Sequence, residues 1–313
     1  MILSVSRRTD IPNYYSDWFL NRLREGFLYV RNPMNPRQVS RIELSPEVID
    51  CIVFWTKNPA PMLDRLGELS PYPYYFQFTL TGYGRDIEPG VPHKRENVIP
   101  TFQRLSSAIG SNRVVWRYDP ILFTSVYTPE YHLQAFSQIA EALRGHTKRC
   151  VISFVDRYAK NSVSMKRLGA YELEQPALEA FSRQLVGIAN KNGMTVSSCA
   201  EVMDLSHCGI HHSSCIDRQL IEEIIGCPLK VEKDKNQRHE CGCVESIEVG
   251  TYDTCRNGCL YCYANSSQKQ VDRVSQSYDP HSPLLCGQAT EADKVTERKM
   301  VSLRDSQMSF LNQ

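Results

Sequence analysis

Short apolar runs alternate with longer amphipathic stretches along this chain. The runs Ile2–Ser6 (ILSVS), Cys51–Trp55 (CIVFW), Tyr74–Leu80 (YYFQFTL), Arg113–Trp116 (RVVW), Cys150–Phe154 (CVISF) and Thr195–Ser198 (TVSS) are rich in Val, Ile and aromatics. That is the composition of strands covered on both faces. Helical patterns separate them, roughly over Tyr15–Glu25, Pro61–Leu69, Arg95–Ile109, Pro129–Leu143 and Gln175–Lys191. Strand alternating with helix predicts a parallel sheet with right-handed crossovers, and six such units predict an α/β fold of the complete or partial (β/α) barrel type. A further short strand, Ser246–Val249 (SIEV), runs into a cysteine-rich loop. The barrel is expected over 1–265, with a cysteine-rich insert at 199–245. Residues 266–313 are polar and weakly periodic and read as a surface extension, part of it without fixed structure.

The residues that follow each strand are polar. They are Arg7, Arg8, Thr9 and Asp10 after the first; Thr56, Lys57 and Asn58 after the second; Thr79 and Thr81 at the third. Arg117, Tyr118 and Asp119 follow the fourth, Asp156 and Arg157 the fifth, Cys199 and Glu201 the sixth. In α/β barrels these outgoing ends form the working face. Helix capping would account for Asp10 or Asp119 singly. It accounts less well for a whole ring, and not for Lys57 or Arg117.

Charge and composition add exclusions. A formal net charge of +1 over 313 residues gives no sign of a strongly basic nucleic-acid binder, although a local basic groove stays open. No run approaches a membrane span. The start, MILSVSRRTD, lacks the apolar stretch and cleavage site of a secretory signal, so the expected location is the cytoplasm. In that reducing compartment the twelve cysteines are not read as disulfides. All but Cys51 and Cys150 follow Ser198, a crowding that points to metal.

Cys255, Cys259 and Cys262 have the spacing C-x3-C-x2-C. Three thiolates can each hold one iron of a cubane cluster and leave the fourth iron open. Asn257 and Gly258 supply backbone for tight turns, and Tyr261 can shield such a cluster from water. A zinc site closed by Cys241 or Cys243 is the competing arrangement, and three incidental thiols the bland one.

The segment "CLYCYAN", with its aromatic before the last cysteine, resembles the radical S-adenosylmethionine (SAM) superfamily, and within it the spore photoproduct lyase branch. "SVSRRTDIP", "VFWTKNPAPML", "FTLTGYGRDIEPGVP" and "VVWRYDPIL" are similar to further strand ends of that branch. There the cluster loop comes first; here it comes last, which resembles a circular permutation. The whole chain resembles a bacterial family catalogued as domain of unknown function 1848. The resemblance implies a [4Fe-4S] cluster whose open iron chelates SAM, and an electron from the cluster that cleaves the sulfonium. The 5′-deoxyadenosyl radical so formed then removes a hydrogen atom from an unidentified substrate. It implies Lys57 beside the SAM carboxylate. Thr9 and Asp10 would stand where the superfamily usually has Gly-Gly-Glu, which this chain lacks. Thr79 and Thr81 would reach the ribose, and Arg117 an anion. A cytosolic electron donor such as flavodoxin or ferredoxin is the implied partner, with nucleic-acid repair or modification as an alternative activity. A non-catalytic zinc-stabilised barrel that binds a partner is the rival from another class.

A second thiol set remains: Cys199, Cys215, Cys241 and Cys243, with Cys208 as alternate. It is expected to hold an auxiliary iron–sulfur cluster, or zinc with help from His207, His211 or His212. Cys51 and Cys150 read as buried apolar side chains, and Cys227 and Cys286 have no assigned partner.

Overall fold

The computed structural model describes residues 1–156 and 158–305; Arg157 and residues 306–313 of the expected extension lie outside the described residues. The strands are β1 (Ile2–Val5), β2 (Phe27–Arg31), β3 (Gln38–Glu43), β4 (Cys51–Thr56), β5 (Tyr74–Thr79) and β6 (Val114–Ile121). They continue with β7 (Arg149–Phe154), β8 (Thr195–Cys199), β9 (His211–Ser213), β10 (Ile247–Glu248) and β11 (Lys294–Glu297). One eight-stranded sheet runs β10-β1-β4-β5-β6-β7-β8-β9, and every pairing in it is parallel. This is a mixed α/β fold of the kind expected from a partial barrel. The strand that leads into the cysteine loop, β10, is the last of this sheet in sequence and pairs with the first, matching Leu3 to Ile247.

Both faces of the sheet are covered, as the unbroken apolar runs require. Alternate residues go to opposite sides. Leu3, Val5, Ile52, Phe54, Phe76, Phe78, Trp116 and Ile152 join the large core under the helices. Ile2, Cys51, Val53, Tyr75, Val115 and Val151 face the other way, into a core shared with Cys215, Cys241 and Cys243. Cys51 and Cys150 are fully buried.

The helices lie close to where periodicity puts them: Ser16–Glu25, Ile99–Ile109, Pro129–Ala142 and Gln175–Lys191. Pro61–Leu69 differs. The segment Ala60–Leu69 is a 3₁₀ helix, and Pro59 and Pro61 at its start each lack an N–H donor. The helix expected from Arg95 opens with a wide π turn, Lys94–Val98. The strand expected over Arg113–Trp116 continues through Pro120 to Ile121, with an irregular register between Tyr118 and Ile121. That extension puts Arg117 and Asp119 inside β6.

A small sheet, β11-β3-β2, was not legible from pattern. It ties residues 266–305 to the N-terminal third. Trp18 Nε1 donates to Ser282 O at 2.8 Å and Arg22 Nη2 to His281 O at 3.0 Å. The Met1 ammonium donates to Val301 O at 2.8 Å. Among the described residues no helix is long and apolar enough to cross a membrane.

Candidate functional site

The outgoing ends of β1, β4, β5 and β6 surround a cavity of 470 Å³. Thr9, Asp10, Lys57, Thr79 and Arg117 line it, and so do Cys255 and Cys262. Cys199, Cys215, Cys241 and Cys243 line it too, so both thiol sets open onto one space. A second groove of 570 Å³, between Ala60–Leu69 and the helix Ile99–Ile109, has no His, Cys, Asp or Glu on its wall.

The loop after β10 owes its shape to its neighbours. Gly258 takes φ +64°, a left-handed conformation that costs glycine little. The segment after β5 runs alongside: Gly90 N donates to Asn257 O at 2.9 Å, and Leu260 N to Ile87 O at 3.0 Å. A Cβ on Gly90 would stand 2.5 Å from Arg256 O and 2.8 Å from Asn257 Cα, so only glycine permits this approach. Tyr15 donates to Thr254 O at 2.6 Å, and Tyr14 to Asn257 Oδ1 at 2.9 Å.

So held, the loop aims backbone amides at its sulfurs. Ala264 N donates to Cys262 Sγ at 3.3 Å, and the amides of Asn257 and Asn265 point at Cys255 and Cys262. Burial pushes the thiols of Cys255 and Cys262 up and that of Cys259 up to about 12, with Lys57 pulling the last back. Cys259 is set behind the cavity wall, against an apolar group that includes Tyr83, Ile87, Leu122 and Tyr261.

Two buried carboxylates join the loop to the sheet. Asp10 accepts from Thr56 Oγ1 (2.7 Å) and Asn13 N (3.2 Å) on one oxygen, and from Lys57 N (2.8 Å) and Asn257 Nδ2 (3.0 Å) on the other. Burial pushes its pKa above the ordinary value and these donors oppose the rise. Glu88 accepts from Lys57 Nζ at 2.7 Å, from Thr81 Oγ1 at 3.0 Å, and from Lys94 and the Tyr261 hydroxyl. Burial pushes this carboxyl up, but Lys57 and Lys94 outweigh it and bring the pKa down to about 2.

The second thiol set forms a string. Cys199 at the end of β8 has its sulfur 2.9 Å from that of Cys215. Cys215 in turn meets Cys243, and Cys243 meets Cys241. Arg117 Nη1 donates to Cys215 Sγ at 2.9 Å while its Nε donates to Asp119 Oδ2 at 2.9 Å. Hydrogen bonds from the Cys199 and Cys243 thiols, helped by Arg117 and Arg7, draw the Cys215 pKa well below its ordinary value. The alternate, Cys208, lies elsewhere: it packs beside His207 and Glu179 of the helix Gln175–Lys191.

Of the remaining expected site residues, Thr9 has a buried hydroxyl without a hydrogen-bond partner on the cavity wall. Thr79 lines the cavity; Thr81 stands behind it on Glu88. Glu88, Lys94 and Gly90 were not legible in the sequence as site builders, and of Asn257 only the backbone was, not the side chain that donates to Asp10. The only sequence signal for the first was the Glu-Pro of "RDIEPG", and nothing local marks an acid that will be buried against two lysines.

No curated protein matches this chain. Among solved structures, one provisionally assigned as an alpha-L-fucosidase from Bacteroides thetaiotaomicron matches at 11% identity and a TM-score of 0.27, over 74% of this chain and 83% of that one. At that level the likeness carries no functional weight. The profile of a protein family described as a Domain of unknown function (DUF1848) matches residues 2–264, and the chain belongs to that family.

Proposed function

We propose that the protein is a radical SAM enzyme: Cys255, Cys259 and Cys262 hold a [4Fe-4S] cluster, and SAM binds in the 470 Å³ cavity and is reductively cleaved there. The observation that carries this reading is the shared wall. Two of the three loop cysteines face the same space as Thr9, Lys57 and Arg117 at the ends of parallel strands. The pairing of β10 with β1 supports the permuted reading, since it sets a loop late in sequence beside the first strand.

The donor set fits the group. Three reduced thiols on one loop, with amides directed at the sulfurs, suit thiolate ligation to iron. When bound, such a cluster supplies an electron to the sulfonium of SAM. The chain's own residues do the rest. Leu260 packs on the apolar side behind the cavity wall, and Tyr261 joins that apolar group while also lining the cavity, so that the two limit water around Cys259. Lys57 carries a positive charge whose position Glu88 fixes, suited to a ligand carboxylate. Asp10 has both oxygens occupied by protein donors, so it acts as a strut between β1, β4 and the loop. Of the pair Thr9 and Asp10, the unpartnered Thr9 hydroxyl is the group left for a ligand.

The test is chemical. The protein is reconstituted anaerobically, reduced with dithionite and incubated with SAM. We expect 5′-deoxyadenosine from the wild type and none from Cys262→Ala. A wild-type preparation that holds zinc and releases no 5′-deoxyadenosine would overturn the reading in favour of a zinc-stabilised binding protein.

A further inference from the structure

We propose that Cys199, Cys215, Cys241 and Cys243 ligate a second iron–sulfur cluster on the other wall of the same cavity. This inference does not depend on the reading of the first loop. Four free thiols converge here from three separate stretches: the end of β8, the turn after β9, and the approach to β10. None comes from the first cysteine loop.

The site is built around Cys215. Its carbonyl accepts from Tyr75 Oη at 2.6 Å and Gln77 Nε2 at 2.8 Å, both buried in β5. Its sulfur accepts from Arg117 at 2.9 Å. The sulfur of Cys243 accepts from the Ile216 amide at 3.3 Å. An arginine and an amide aimed at sulfurs are the donors that a negatively charged thiolate cluster requires.

Cys199 and Cys215 are in contact at 2.9 Å, but no three of the four sulfurs lie within 4.8 Å of one another, so the set as a whole is broader than one ion's shell. A tetrahedral ion with metal–sulfur bonds of about 2.3 Å would hold its four sulfurs about 3.8 Å apart. Among the described residues, the three metal-ligating groups that come within 4.8 Å of one another are Glu179, His207 and Cys208. The four thiols lie as an extended string instead, wider than one ion's shell. Four protein thiolates also leave no vacant corner. The second centre is therefore one that carries electrons or walls the substrate space, not one that binds SAM.

The test isolates this centre in the full chain. Cys255→Ala/Cys259→Ala/Cys262→Ala is reconstituted anaerobically with ferrous iron and sulfide. We expect it to keep about half the wild-type iron and acid-labile sulfide, as for one cluster of two. Adding Cys215→Ala and Cys243→Ala should bring both to background. Iron at background in the triple variant would overturn the proposal. So would zinc without sulfide, or a Cys199–Cys215 disulfide in the anaerobically alkylated protein. If the triple variant does not fold, Cys241→Ala/Cys243→Ala in an otherwise unchanged chain serves: its iron should fall to about half, and unchanged iron would overturn the proposal.

Discussion

Glu88 links the segment after β5, Lys57 and the cysteine loop, because Tyr261 also donates to it. Removing its charge leaves Lys57 and Lys94 buried and uncompensated. Breaking a buried pair from one side costs about 3–5 kcal/mol. Glu88→Gln should therefore lower the thermal midpoint clearly, and an unchanged midpoint would show that the lysines find other partners. His132 makes a separate prediction. Its Nε2 faces the Leu122 carbonyl at 3.1 Å, which can only accept, so that nitrogen carries the proton and Nδ1 accepts from the Tyr118 hydroxyl. Burial lowers its pKa to about 4. The unfolded chain, with a histidine near pKa 6.5, binds the extra proton first. Stability contributed by the neutral ring is present above that value and is lost as pH falls toward about 4, by up to about 3 kcal/mol. Melting curves from pH 7 to 5 should slope less in His132→Gln than in the wild type; equal slopes would contradict the assignment.

Between elements, the closest approach is that of Gly90 to the cysteine loop. Gly90→Ala places a methyl against backbone that cannot turn aside, so the two loops must part. Overpacking of this kind costs about 1–3 kcal/mol. Iron retained after reconstitution should fall more than global stability does; full iron retention would show that the clamp is dispensable. The elements most legible in the sequence were those buried on both faces, since an unbroken apolar run such as that of β4 needs no partner to be recognised. The missed strands lacked that signal. β2 and β3 are mostly half-exposed, and β11 is polar and largely exposed. Pro120 hid the second half of β6, because proline ordinarily ends a strand.

At the scale of the whole molecule, residues 266–305 pack back onto the N-terminal third. Leu284 and Leu285 are buried, and carbonyls of 281–283 accept from Trp18, Arg22 and Tyr29. Weak periodicity in 266–305 follows from this mode of attachment, through backbone groups more than an apolar face. A chain cut after Asn265 should lose cooperative unfolding, measured by circular dichroism; an unshifted transition would contradict that. The site was readable where chemistry is local, as in C-x3-C-x2-C. It was unreadable where distant segments supply one contact each, as at Glu88. Sequence could list the four thiols beyond the loop, but only the fold brings them onto one cavity wall, and it sets Cys208 apart. The central claim is that three thiolates leave one iron free to take SAM. Electron paramagnetic resonance of the reduced protein with SAM carrying ¹⁵N in its amino group tests it most directly. The account predicts a changed cluster signal with a hyperfine coupling to that nitrogen; a spectrum that SAM leaves unchanged would contradict it.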